Sequence, residues 1–305
     1  MLINYDFKKL SSGTLSAVMC VSASLWGLYW VPLRLIEGLG VDGPWCVVLI
    51  NACPLIVLAP FIILYTSRTQ MDLKRPLFAG VFTGLGFALY TIGLIETSVV
   101  RATLLFYLTP IWSTILGFIV LSEPVNKVRG LAILSGVVGC FLLLNPDKNQ
   151  SIPLNTGDLS AALSGIFWAV GATLMRRWPD SSTLLTTGFQ MLTTTILAAL
   201  LAMVVLQYDL PSPKAVAASL PVAFISSALI LLPSTLIIFR ISQLLYPGRV
   251  GVLMMSEVAV AVASASIFLS GEQMTILQWI GAGAIILAAC FEVLGPNEKV
   301  TQIVN

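Results

Sequence analysis

Residues 104–124, LLFYLTPIWSTILGFIVLSEP, form one apolar run with a proline near its middle and a Glu-Pro pair at its end. As a helix this run is long enough to cross the roughly 30 Å apolar core of a bilayer. Pro110 removes one backbone donor and clashes with the turn before it, so the helix is expected to bend there. Inside a membrane the freed carbonyl is tolerated only where protein or water meets it, which places an internal cavity beside Tyr107 and Pro110. About 148 residues later, residues 248–272, GRVGVLMMSEVAVAVASASIFLSGE, repeat the outline. Arg249 answers Arg101, Leu269 answers Leu121, and Glu272 answers Glu123 with one residue inserted. Where the first copy has Thr109-Pro110 the second has Glu257-Val258, so the copies are expected to differ where the first is bent.

The whole chain shares this character. Its 305 residues are 57% hydrophobic and 10% charged, with a mean hydropathy of +0.95. A soluble globule carries roughly 25% charged residues, so the composition is that of an integral membrane protein, with the lipid bilayer as its surroundings. The net charge of +2 and the lack of a basic run with interleaved aromatics argue against nucleic acid as a partner. Histidine is absent, which removes Ser-His and Cys-His nucleophile pairs and histidine metal sites. Cys20, Cys46, Cys53, Cys140 and Cys290 lie inside apolar segments without close ligand spacing and read as small hydrophobes; neither a metal nor another cofactor is expected. No GxxxxGK[ST] loop occurs, so ATP hydrolysis is not expected either. An enzyme would need clustered acids, a serine with a base, or metal ligands, and the acids within the apolar runs are isolated.

Ten spans can be drawn, over residues 14–33, 43–65, 76–95, 100–121, 127–145, 157–176, 183–206, 217–241, 249–269 and 275–294. The eighth, with Pro221 and Pro233, has the vaguest boundaries. With the amino terminus in the cytoplasm, twelve lysines and arginines fall on that side and four (Arg34, Arg101, Lys148, Lys214) on the other. By the positive-inside rule both termini are then cytoplasmic. Residues 145–157, NPDKNQSIPLNTG, are the longest polar connection and divide the spans five and five. Residues 1–146 form a first repeat, 147–156 a connecting loop and 157–305 a second repeat. Further matches relate the halves: Leu15-Ser16-Ala17 with Leu159-Ser160-Ala161, Trp26 with Trp168, and Gly139-Cys140-Phe141 with Ala289-Cys290-Phe291. An odd number of spans per repeat forces opposite orientations, so the expected fold is an all-α integral membrane protein of ten transmembrane helices in two inverted five-helix repeats. Such repeats place a binding site near the midplane and support alternating access.

The pattern Tyr107-Leu108-x-Pro110 followed by Leu121-Ser122-Glu123-Pro124, the second ending Leu269-x-Gly271-Glu272, and the five-plus-five layout resemble the EamA family of the drug/metabolite transporter superfamily. The resemblance covers almost the whole chain. It implies a carrier, often an exporter of amino acids or other small metabolites, in which helices 1, 3, 4, 6, 8 and 9 line a central cavity and helices 5 and 10 pack at its rim. It also implies a bacterial inner membrane. Glu257 departs from the family pattern, standing near a position where the second repeat often carries proline.

Glu257 is the most informative single residue. It lies eight positions after Arg249, about 12 Å along a helix, out of reach of the interface. An ionised carboxylate there costs about 2.5–3.5 kcal/mol on insertion scales, so it should face a cavity, as counter-charge to a cationic or amine-bearing substrate or as a proton carrier. A structural partner for an arginine is the plainer alternative. Met254 shares its helical face. Helical spacing groups Trp26 and Tyr29 in the first span, Phe87 and Tyr90 in the third, Thr103, Tyr107 and Pro110 in the fourth, and Trp168 in the sixth. Converging on one space, these rings would suit a small ligand with an apolar or methylated cationic part. Ordinary bundle packing is the alternative for each. Arg101, with Glu96 five residues before it, reads as a salt bridge at an outer gate or as a snorkelling cation. The function expected is a secondary active transporter of a small polar or zwitterionic metabolite, an amino acid or amine-like solute, exporting it with proton coupling through Glu257. An exchanger or importer of a cationic or quaternary ammonium solute is the alternative, and a non-transporting receptor or assembly factor is a third. Monomer and homodimer both stay open.

Overall fold

The computed structural model describes residues 7–68, 72–97, 99–124, 126–144, 155–268 and 275–294. Every regular element among them is helical. In chain order they are α1 (Ser12–Trp26), α2 (Trp30–Glu37), α3 (Pro44–Arg68), α4 (Lys74–Glu96), α5 (Val99–Phe106), α6 (Thr109–Leu121), α7 (Lys127–Leu144), α8 (Thr156–Arg177), α9 (Thr183–Leu200), α10 (Pro213–Ser226), α11 (Leu232–Ser242), α12 (Pro247–Met254), α13 (Ser256–Phe268) and α14 (Ile276–Leu294). Eight described stretches are long and apolar enough to cross a membrane, and Ile276–Phe291 is a shorter apolar helix. The molecule is therefore an all-helical, multi-pass integral membrane protein.

Four of the long stretches are interrupted, and the causes differ. Between α5 and α6 the chain tightens at Tyr107 and Leu108, one turn before Pro110 instead of at it. Proline has no N–H for the carbonyl of Phe106, four residues back. The Thr109 hydroxyl donates to that carbonyl instead, and Gly165 of α8 lets both approach: a β-carbon there would sit 2.8 Å from Phe106 O and 2.9 Å from Thr109 Oγ1. The orphan is thus answered by protein, as a bilayer interior requires. The stretch of α12 and α13 is also broken, at Met255, although its only proline is Pro247 at the start of α12. Both copies, which were expected to differ where the first is bent, are thus interrupted. Here, as at residues 27–29 between α1 and α2, short i to i+3 backbone bonds replace the regular ladder. The stretch of α10 and α11 carries a π turn at Ser227–Leu231 just before Pro233, where the proline likewise removes a donor.

Small residues set the packing. On α4, Gly80 and Gly84 meet α9 (a β-carbon on Gly84 would stand 2.8 Å from Gln190 O), while Gly86 and Gly93 meet α8 at Ser164 O, the Trp168 backbone and Ala161. Close helix approach of this kind is how membrane bundles gain contact without a hydrophobic driving force. Gln190 and Thr194, polar on an apolar helix, bond each other at 3.1 Å, and Thr194 also reaches Gly84 O, so they serve the α4–α9 seam. α7 and α14 pack along one another.

The Ser122-Glu123-Pro124 turn has its own logic. Ser122 ends α6 in the left-handed region (φ 53°), and the chain folds back so that Glu123 N–H bonds Gly117 O at 3.0 Å. Glu123 is then fully buried and forms an ion pair with Arg129 of α7, itself 4% exposed. Glu272, its counterpart, lies outside the described residues, as do Leu269 and Gly271.

Candidate functional site

The interrupted stretches meet near the centre. α6 packs against α12, with a β-carbon on Gly251 falling 2.9 Å from Pro110 Cα. α1 packs against α12 and α13, and Gly27 lets it close in: a β-carbon there would stand 2.9 Å from Ala261 N and as near to the carbonyl of Glu257. Among the described residues α5 packs chiefly on α8 and α4, and α13 chiefly on α1 and α14. Of the two halves of the α5–α6 and α12–α13 pair, α6 with α12 is the closely packed one among the described residues.

Glu257 lies at this crossing, in the first turn of α13. It is deep among protein atoms yet not fully inaccessible. Its close titratable neighbour is Tyr107, whose hydroxyl is buried and makes no hydrogen bond of regular geometry; Tyr90 stands next, and Cys140 lies beyond both tyrosines. Among the described residues no lysine or arginine flanks that carboxyl. The Tyr90 hydroxyl shares a 3.1 Å hydrogen bond with Thr103, and Phe106 stacks between the tyrosines, 4.6 Å from the Tyr90 ring and 5.0 Å from that of Tyr107. Glu257, Tyr107, Tyr90 and Thr103 are therefore brought together, with Pro110 at the helix crossing just beyond.

One turn along α4, about 4.5 Å, Phe87 begins a second aromatic group. Its ring centre is 4.7 Å from Trp26 and 5.2 Å from Trp168, the latter edge-on at 88°. Trp168 also meets Phe239 at 6.0 Å. Trp26 and Trp168 are buried and back the group, whereas Phe87 and Tyr90 are only partly buried. The Trp26 indole N–H donates to Ser234 Oγ at 2.8 Å, which fixes its ring. Met254, buried at the end of α12, belongs to the same core.

Other expected residues lie elsewhere. Tyr29 falls in the break after α1 and turns toward Asn51 and Cys46 of α3, away from the Glu257 group, because the irregular turn at residues 27–29 ends the helical spacing that had grouped it with Trp26. Glu96 accepts from the Thr156 hydroxyl at the start of α8, where Thr97 also bonds Asp158 at 3.0 Å; it ties two helix ends together. Arg101 is on α5, but its side chain lies outside the described part. Phe106, Phe239 and Ser234 were missed. Phe106 carries a legible signal, since at a helix break both neighbours of the turn can face inward.

Two arginines, Arg176 at the end of α8 and Arg249 at the start of α12, are buried. Arg249, 1% exposed, donates to Ser16 Oγ at 2.8 Å. Arg176 donates to the carbonyls of Gln243 and Leu244 and lies 4.9 Å over the Tyr246 ring. Arg240 bonds Gln243 Oε1 at 2.7 Å.

This geometry, a polytopic helical bundle with discontinuous helices crossing at an interior carboxyl, defines a membrane carrier. A family model for the EamA-like transporter family matches residues 13–145 and again 155–294. The chain belongs to that family. A stretch of 130 residues is 28% identical to the "Uncharacterized transporter YyaM" of Bacillus subtilis (strain 168); it spans 41% of this chain and 43% of that relative, less than half of either. A protein of known crystal structure superposes with a TM-score of 0.69 over 92% of this chain and 96% of its own, at 18% identity, a likeness of fold.

Proposed function

We propose that the chain is a secondary active carrier that moves a small, amine-bearing organic metabolite across a bacterial inner membrane by alternating access, in the export direction. In this reading ten helices form two inverted repeats, with both termini cytoplasmic. Helix pairing supports it: α4 packs on α8 and α9, and its counterpart in the second half, α10 with α11, packs on α1 and α3. The observation that carries the function is Glu257, a largely buried carboxyl inside the bundle beside the buried hydroxyl of Tyr107. A buried acid of that kind calls for a cation or a proton. Glu257 therefore binds the amine of the solute and exchanges it for a proton, with Tyr107 and Tyr90 as the titratable groups facing it.

The α5–α13 half and the closely packed α6–α12 half are the two gates of this reading. With the termini cytoplasmic, the α5–α13 half faces outward. Closing it while α6 and α12 separate would expose the same carboxyl to the other side.

Counterflow in proteoliposomes tests the proposal. A labelled amine-bearing solute should exchange against the same unlabelled solute inside, and a proton gradient should drive its accumulation. Glu257→Gln should abolish accumulation. No exchange with any amine-bearing solute would overturn the reading.

A further inference from the structure

The surroundings of Glu257 carry one more message, about what a solute bound there must lack. An amino acid brings a carboxylate within a few ångströms of its ammonium group, and that carboxylate needs a cation or a cluster of donors. Glu257 supplies a negative pole. Tyr107 and Tyr90 are the polar groups beside it, and the latter already shares its hydroxyl with Thr103. Among the described residues the arginines closest in the fold are committed elsewhere: Arg249 sits eight residues down the same stretch with its guanidinium on Ser16, and Arg176 lies against two carbonyls and the Tyr246 ring. Beside this group stand the rings of Phe87 and Tyr90, in contact with Trp26, Trp168 and Phe106. Ring faces attract cations and repel carboxylates.

We infer that the transported solute is an organic monocation, an amine or quaternary ammonium compound, whose cationic head lies between Glu257 and the Tyr107 hydroxyl and whose apolar part rests on Phe87 and Tyr90. A carboxylate on the same skeleton excludes a solute from this site. The buried Tyr107 hydroxyl lies beside that carboxyl, and its oxygen can accept from an ammonium head. The inference rests on the carrier reading above and narrows it from amine-bearing metabolites to those without a carboxylate.

Matched pairs that differ by one carboxylate test it: choline against glycine betaine, phenethylamine against phenylalanine, and tyramine against tyrosine. Binding to the full-length protein in lipid nanodiscs is measured by calorimetry, and flux of the same six compounds in proteoliposomes. The cation of at least one pair should bind at least about tenfold more tightly than its zwitterion, the weight of one desolvated cation contact. Glu257→Gln should erase that preference, and Tyr107→Phe, which keeps the ring, should reduce it. Should Glu257→Gln not fold, the wild-type comparison within each pair still decides. Equal or tighter binding of the zwitterions, accompanied by their transport, would overturn this inference and leave the carrier reading intact. Failure of all six to bind or to move would overturn both.

Discussion

Replacing Arg129 by methionine leaves the Glu123 carboxylate fully buried with no cation beside it. Both partners are almost inaccessible, with side chains 5% and 0% exposed, and Glu123 Oε2 has no hydrogen bond to fall back on. Removing one partner of a buried ion pair typically costs about 3–5 kcal/mol, because the surviving charge stays desolvated. For a chain of this size each kcal/mol corresponds to roughly 2 °C, so Arg129→Met should lower the melting temperature of the detergent-solubilised protein by about 6–10 °C. The double variant Glu123→Met/Arg129→Met removes both charges and should recover most of that loss. The turn at Ser122 carries Glu123 back under α6 and so seals it from water. A melting temperature for Arg129→Met within 2 °C of wild type would refute the burial of the pair, and a double variant no better than the single would refute the electrostatic account.

Three further outcomes follow from particular contacts. Thr109→Val keeps the shape of the side chain but orphans the Phe106 carbonyl, and should cost about 1–2 kcal/mol in a denaturation midpoint measured in micelles; an unchanged midpoint would mean that water answers the carbonyl. Ser234→Ala strands the Trp26 indole N–H and should destabilise by about 1–3 kcal/mol in the same assay, whereas Trp26→Phe/Ser234→Ala should lose less than the sum of its parts. Gly251→Val forces a β-carbon against Pro110 and should pry α6 from α12. In a background without the five native cysteines, Ser113→Cys, buried at 1% exposure in wild type, should then react faster with a small thiol reagent, and an unchanged rate would place the seal elsewhere.

Most helix positions were legible because a bilayer imposes a length and a polarity that few other environments demand. Thus α8 was expected over residues 157–176 and runs Thr156–Arg177. The eighth stretch was vaguer because Pro221 and Pro233 read as punctuation, yet a π turn at Ser227–Leu231 absorbs the second and the helix continues. The aromatic residues Trp26, Phe87 and Trp168 came together as their spacing implied. Tyr29 did not, since periodicity ends where the helix does. Arg176 and Arg249 were counted as charges near the membrane surface and are instead buried, because their hydrogen-bond partners, the Gln243 and Leu244 carbonyls and Ser16, come from distant helices that no local pattern reveals.

The break in the second copy was the least legible feature, and it explains why Glu257 stands where it does. In the first copy, proline interrupts the ladder and the hydroxyl at the matching position, Thr109, is consumed in capping the Phe106 carbonyl. The second copy has no proline, so no carbonyl is left over by a missing N–H. Its interruption at Met255 is held by i to i+3 backbone bonds, and by the approach of Gly27 to the backbone at Glu257 and Ala261. Helix crossing and backbone satisfaction are thus completed without any side chain from position 257. A carboxyl there is spared the structural duty that its counterpart performs, and it stands beside Tyr107. The same comparison predicts that Glu257→Thr should fold as well as wild type, because no contact of the break depends on the carboxyl. Its melting temperature should match wild type within about 2 °C, roughly 1 kcal/mol for this size, while solute exchange is lost. A large drop in stability instead would show that Glu257 holds the helices together, and the functional reading of the site would fall with it.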